Sequence, residues 1–146
     1  MTEVEFHTGV SDPLAFACRL LRKAYRQGAR VLVTAPPGML TALDRELWTF
    51  EERDFVPHLR MPGAEAAAAA LTPIWLTHGA AAAGLADAPR VWVNLDADAP
   101  TEPLALERLI EVVSIEPDEA ARGRERWRAY KALGLAIRHH AAPGRE

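Results

Sequence analysis

Cysteine is almost missing: Cys18 stands alone in a chain of 146 residues. That excludes an intramolecular disulfide framework and a cysteine-cluster zinc site, and it suits a reducing cytoplasm. Serine is nearly as scarce, with only Ser11 and Ser114. Ser11 belongs to a helix-start signal and Ser114 to a strand-like run, so no Ser/His/Asp arrangement is argued. No apolar run approaches the roughly 20 residues of a membrane span. The opening MTEVEFHTGV has no basic stretch leading into an apolar block, so no signal peptide is expected. A glycine-rich phosphate loop is lacking too. The turn after the second predicted strand reads Thr34-Ala35-Pro36-Pro37-Gly38. Two prolines remove two N–H donors, no lysine follows, and G-x-G-x-x-G occurs nowhere. The histidines His7, His58, His78, His139 and His140 show no H-E-x-x-H or similar spacing, so the sequence assigns no metal ligand and no cofactor. No catalytic residue is assigned. An excess of basic charge is also absent: 17 Lys+Arg against 20 Asp+Glu give a net charge of −3. A surface that coats nucleic acid as a whole is therefore disfavoured.

What the chain does have is one domain's worth of apolar residues. The hydrophobic fraction is 49% and the charged fraction 25%, ordinary for a soluble globular fold. Residues 4–10 read as a strand. Ser11-Asp12-Pro13 then starts a helix carrying Leu14, Ala17, Cys18, Leu21 and Ala24 at helical spacing, and Gly28 ends it. Cys18 falls on the apolar face, where a thiol is buried and inert. Val31–Thr34 is a buried strand, and Met39–Leu47 a second helix with Trp48 at its end. Residues 49–73 resist assignment; Pro57 keeps Phe55-Val56-Pro57-His58 out of a helix interior, and Ala64–Ala70 reads as loop or frayed helix. Ile74–Thr77 and Val91–Asn94 read as strands; Leu109–Ile115 reads as a strand or the end of a helix, with β-branched Ile110, Val112, Val113 and Ile115 leaning to strand; Glu116–Leu133 is the last helix, stopped by Gly134. Alternating strands and helices predict an α/β domain, three layers with a mostly parallel sheet, over residues 1–138. Residues 139–146 are expected to be a frayed tail.

Two clusters stand out. From Arg122 to Arg138 there are six basic residues and one acid, about +5 on an otherwise acidic body. Arg124, Trp127, Arg128 and Lys131 fall on one helical stripe. The stripe of Glu125, Ala129, Ala132 and Ala136 is mostly small and is expected to pack on the sheet. Trp127 would then stand partly exposed between cations, a common interface anchor; the alternative is a solvated helix face with Trp127 in the core. Trp48 and Phe55 flank a charged loop, Glu51-Glu52-Arg53-Asp54, and either seal a core edge or form a protein-binding patch.

Three segments carry a family resemblance. They are the strand–helix opening through Arg26-Gln27-Gly28-Ala29-Arg30-Val31-Leu32-Val33, then Leu43-Asp44-Arg45-Glu46-Leu47-Trp48 with Phe55-Val56-Pro57-His58, and finally Gly123-Arg124-Glu125-Arg126-Trp127-Arg128-Ala129-Tyr130-Lys131. In order and spacing the chain resembles the chi family, accessory subunits of the bacterial DNA polymerase III clamp-loader assembly. The resemblance implies a nucleotide-binding-like α/β fold without a nucleotide site, and a non-catalytic connector at replication forks in the cytoplasm. It implies that Trp48 and Phe55 meet a psi subunit, or another protein such as a repair helicase. It implies that Arg124, Trp127 and Arg128, with Lys131 beside them, bind the acidic, Phe-ending C-terminal tail of single-stranded DNA-binding protein. The family often has Tyr and Lys where this chain has Trp127 and Arg128. Contact with nucleic acid is then mainly indirect. Direct single-strand binding by the basic face, or a cryptic nucleotide hydrolase, are the alternatives.

Overall fold

A computed structural model describes residues 2–49, 56–61, 72–77, 88–100 and 103–142. In chain order the elements are β1 (Glu3–Val10), α1 (Pro13–Arg26), β2 (Val31–Thr34), α2 (Pro37–Thr49), β3 (His58–Arg60), β4 (Ile74–Thr77), β5 (Val91–Asn94), a short 3-10 turn (Pro103–Ala105), β6 (Arg108–Ser114), α3 (Pro117–Ala132) and β7 (Ile137–Ala141). The seven strands form one sheet in the order β3-β4-β2-β5-β6-β1-β7. Every pairing is parallel, so the sheet is more uniform than the mostly parallel one the sequence predicts.

Local chemistry explains the helix starts. Pro13, at the first position of α1, has no N–H to lose, and the Asp12 carboxylate accepts the Ala15 N–H at 3.1 Å. Pro37 and Pro117 are likewise the first residues of α2 and α3, although Glu116 ahead of Pro117 makes no side-chain cap. The short strands β2 and β4 are buried along their whole length, as the central strands of a parallel sheet covered on both faces must be.

Strand alternation divides the interior in two. Val31, Val33, Ile74, Leu76, Val93 and Ile110 meet Leu21 of α1 and Leu40, Leu43 and Leu47 of α2. Leu32, Trp75, Trp92, Leu109, Val113 and Phe6 face the other way, toward Tyr130 and Trp127 of α3. The result is three layers, with α1 and α2 on one side of the sheet and α3 on the other. Cys18 is fully buried on the inner face of α1, and burial pushes its thiol up to about 11, which suits the inert thiol expected.

Two sequence expectations are corrected, and one unassigned segment finds its place. The segment around His58, unassigned from sequence, forms edge strand β3, where Pro57 falls just ahead of the ladder. The tail expected to fray from His139 instead supplies β7, paired with β1 from Val4↔Ile137 to Thr8↔Ala141. Its sequence, IRHHA, has almost no apolar alternation because an edge strand needs little of it. The stripe of Glu125, Ala129, Ala132 and Ala136 does not pack on the sheet; all four are exposed. Gly123, Arg126 and Tyr130 are buried there instead. The predicted alanine tract 64–70 and the loop 51–54 lie outside the described residues.

Candidate functional site

A buried polar network fixes α3 to the sheet. Glu111 on β6 is fully buried, and its carboxylate accepts three hydrogen bonds: from Arg126 Nε at 2.9 Å, Tyr130 Oη at 2.6 Å and Asn94 Nδ2 at 3.0 Å. Burial pushes the Glu111 carboxyl above its usual range, while the Arg126 charge and the donated hydrogen bonds pull the other way. The Tyr130 phenol is pushed far up, by burial first and then by the Glu111 charge, so it stays a donor. Arg126 Nη1 also reaches Asp96 at 3.5 Å, and Arg122 grips the same Asp96 from Nε and Nη2 at 3.0 and 2.6 Å. The chain of bonds continues to Thr34, whose hydroxyl donates to Asn94 and accepts from Trp92 Nε1.

Two of the six bases counted in the basic run are therefore spent inside the fold. Arg126 is buried and Arg122 is paired. Arg124, Arg128 and Lys131 are exposed and carry no ion pair among the described residues. The basic run of residues 122–138 is thus reduced to a short cationic stripe on α3.

Beside that stripe, α3 sits close to the sheet at Gly123. A Cβ there would lie 2.8 and 2.9 Å from the two methyl carbons of Val113, closer than atoms tolerate. Glycine in mid-helix costs about 1 kcal/mol relative to alanine, and here it lets α3 approach β6. Next to this contact opens a cleft of about 600 Å³. Phe6 and Thr8 of β1, Val113 of β6, Ile115, and Ala120 and Gly123 of α3 make it largely apolar. Arg124, Trp127 and Arg128 line it from the helix, and His139 from β7. The Trp127 ring is half-buried, edge-on to Phe6 with centroids 4.9 Å apart and edge-on to His139 at 5.4 Å. His139 Nε2 hydrogen-bonds Thr8 Oγ1 at 2.7 Å, tying β7 to β1 at the cleft wall.

The rim of the cleft is shaped by a β-bulge. Along β1, Val4 and Phe6 face α3, so Val10 should as well; instead it lies in the core under α1. The pairing with β6 slips between His7 and Val10, and Gly9 takes φ +68°. An extra residue in a strand reverses which face follows, and glycine accepts the left-handed backbone this requires.

Of the residues singled out from sequence, Arg124, Trp127 and Arg128 come together on one apolar cleft. Lys131, one turn further on, is exposed and does not line it. Trp48 lies far along the chain on α2, is 62% exposed, and packs edge-on to His58 at 5.4 Å. It is not a core residue. His58 is buried, with Nδ1 2.7 Å from the Val56 carbonyl and Nε2 2.8 Å from the Asp44 carboxylate. Phe55 lies outside the described residues. Sequence reasoning missed Ile115, His139 and Thr8. Ile115 is 64% exposed just past the end of β6, and an apolar residue at a strand end gives no sign of which way it faces. His139 was hidden by the tail assignment.

A family model described as DNA polymerase III chi subunit, HolC, matches residues 1–138. The DNA polymerase III subunit chi of Pseudomonas aeruginosa is 34% identical over 149 aligned residues, covering 98% of this chain and 99% of that protein.

Proposed function

The chain belongs to the chi subunit family of DNA polymerase III, and on that premise we propose that it is a two-sided connector within the replication machinery. One side takes the acidic C-terminal tail of single-stranded DNA-binding protein in the cleft under α3. The other, around Trp48 and Phe55, takes a psi-type subunit that leads to the clamp loader. The observation that carries the first half is the union of an apolar cleft with a half-buried tryptophan and two arginines on its lip that are unpaired among the described residues. A peptide ending in Phe offers a ring, an α-carboxylate and upstream acids. The ring enters the apolar slot beside Phe6 and Trp127. Arg124 or Arg128 grips the α-carboxylate, for which the planar guanidinium fork is suited. The remaining cations draw in the upstream acids and speed association, at the cost of salt sensitivity. Nothing in this scheme requires catalysis: holding two assemblies together raises their effective concentration.

Trp48 supports the second half. A large aromatic left 62% exposed at a helix end is a natural hot spot for a partner. Arg122 and Arg126, engaged with Asp96 and Glu111, are unavailable to a phosphate backbone, which counts against direct strand binding.

The test is a titration of wild type, Arg124→Ala, Trp127→Ala and Arg128→Ala with a labelled acidic peptide ending in Phe, at two salt concentrations. One arginine should lose about 2–5 kcal/mol, and its loss should shrink as salt rises. The tryptophan effect should be nearly independent of salt. Amidating the peptide's C-terminus should mimic the dominant arginine variant. Equal binding by all four proteins, or preference for bare single-stranded DNA over the peptide, refutes the reading.

A further inference from the structure

We propose that Glu5, His7 and His140 form a binding site for a divalent transition-metal cation, in the first instance Zn2+, on the α1 side of the β1–β7 edge. The fold brings the three together from opposite ends of the chain. His7 and His140 are register partners on neighbouring parallel strands. Their rings stack with centroids 4.8 Å apart and planes 14° from parallel. Glu5 precedes His7 by two residues, so it points to the same side of the sheet. One ligand atom from each residue lies within 4.8 Å of the other two.

The distances suit zinc. Donors at about 2.0–2.1 Å from a tetrahedral ion stand roughly 3.3–3.4 Å from each other. Glu5 Oε1 and His7 Nε2 are already 3.4 Å apart, one edge of such a tetrahedron. The third corner needs only a turn of the exposed His140 ring about its own side-chain bonds. The fourth faces an open groove lined by His7, His140 and Phe16, where a water can sit. Phe16, 5.2 Å from the His7 ring, walls the site on the α1 side.

The outer partners suit it as well. Arg108 donates to the Glu5 carboxylate from Nε at 2.9 Å and Nη2 at 2.6 Å. Both bonds go to Oε2. Oε1 is left toward the histidines, and Arg108 acts as the outer partner that orients a ligating carboxylate. The Arg108 charge opposes a cation and sets a ceiling on affinity. Two imidazoles and one carboxylate favour zinc, nickel or copper over magnesium or calcium.

Isothermal titration of the full chain, stripped with chelator, against ZnCl2 and MgCl2 tests the site. One saturable Zn2+ per chain is expected, with no comparable Mg2+ binding, and a melting temperature that rises with Zn2+. His140→Ala, at an exposed position that leaves folding intact, should weaken binding at least about tenfold, as should His7→Ala and Glu5→Gln. His139→Ala should bind Zn2+ as wild type does, because His139 faces Trp127 on the other side of the sheet. Zn2+ that does not saturate below millimolar, equal binding of Mg2+, unchanged affinity in His140→Ala, or an equal loss in His139→Ala would each overturn the proposal.

Discussion

Under α1 and α2, leucines lie on valines and isoleucines, with aromatic rings, Phe16 and Tyr25, only at the partly buried margin. Under α3, aromatic rings surround a buried carboxylate that a guanidinium, a phenol and an amide all address. An aliphatic seam tolerates small slides, because leucine packs nearly as well a fraction of a turn away. A buried Arg–Glu pair has one geometry in which all its bonds are made, and departures from it leave charge unpaired. The element that carries Arg124, Trp127 and Arg128 is thus the one whose position on the sheet is fixed by hydrogen bonds. The difference teaches that on this domain the more costly kind of contact lies under the surface that has to be aimed.

The sharpest way to break that comparison is to remove one member of each side. Arg126→Ala leaves Glu111 buried and unpaired and should cost about 3–5 kcal/mol in urea unfolding. Leu21→Ala opens a cavity in the aliphatic side and should cost about 2–5 kcal/mol. The stabilities overlap, but the second readout should not. Peptide binding per folded molecule should fall in Arg126→Ala and stay unchanged in Leu21→Ala. Equal loss in both would mean that α3 needs no lock.

Gly123→Ala is the next largest. The new methyl meets both methyl carbons of Val113, and overpacking of this kind costs about 1–3 kcal/mol. If α3 lifts to make room, the cleft changes shape, so peptide affinity should drop along with the urea midpoint. Destabilisation without any change in affinity would show that cleft and helix height are uncoupled.

A smaller effect separates the margin of the α1 side from its interior. Burial lowers the His7 pKa below its ordinary 6.5, so the folded state resists its protonation. Its contribution is whole above that value and is lost as the pH falls through the lowered folded pKa. Glu5, for which the Arg108 guanidinium overcomes the opposing effect of burial, is lost in the same direction at lower pH. In chelator, the melting temperature of wild type should decline below about pH 6.5 more steeply than that of His7→Gln. Parallel declines would remove His7 from the account. The smallest effect is expected at Trp48→Ala. An exposed position should move stability within about 0.5 kcal/mol, while binding of a psi-type partner, read by co-purification, should be lost.

The sequence was most legible where burial is densest. The runs Val31–Thr34, Ile74–Thr77 and Val91–Asn94 carry enough β-branched and aromatic residues to declare strands without help. The two strands it did not reveal, β3 and β7, are the two edges of the sheet. Exposed edges carry polar residues such as Arg60 of β3 and Arg138, His139 and His140 of β7, so the same physics that keeps them from aggregating hides them from pattern reading. The cleft was half legible. Arg124, Trp127 and Arg128 declared themselves by spacing, but Arg126 looked like a fourth surface cation because nothing local reveals a carboxylate waiting on β6. Ile115 and His139 reach the cleft only through the pairing of β1 with strands from the other end of the chain, which no window of sequence contains.

That pairing has a consequence for the order in which the molecule is made. Strand β1 emerges first from the ribosome, yet both of its neighbours, β6 and β7, emerge last. Until they arrive, Val4 and Phe6 have no sheet to join, and the closure entropy of a loop spanning most of the chain must be met before the pairing rewards it. The left part of the sheet, β2 with β4 and β5, can assemble beforehand from local segments. The cleft, built from β1, β6, α3 and β7, needs the last strand to emerge, and a nascent chain held short of residue 139 has no finished cleft in which to take an acidic peptide.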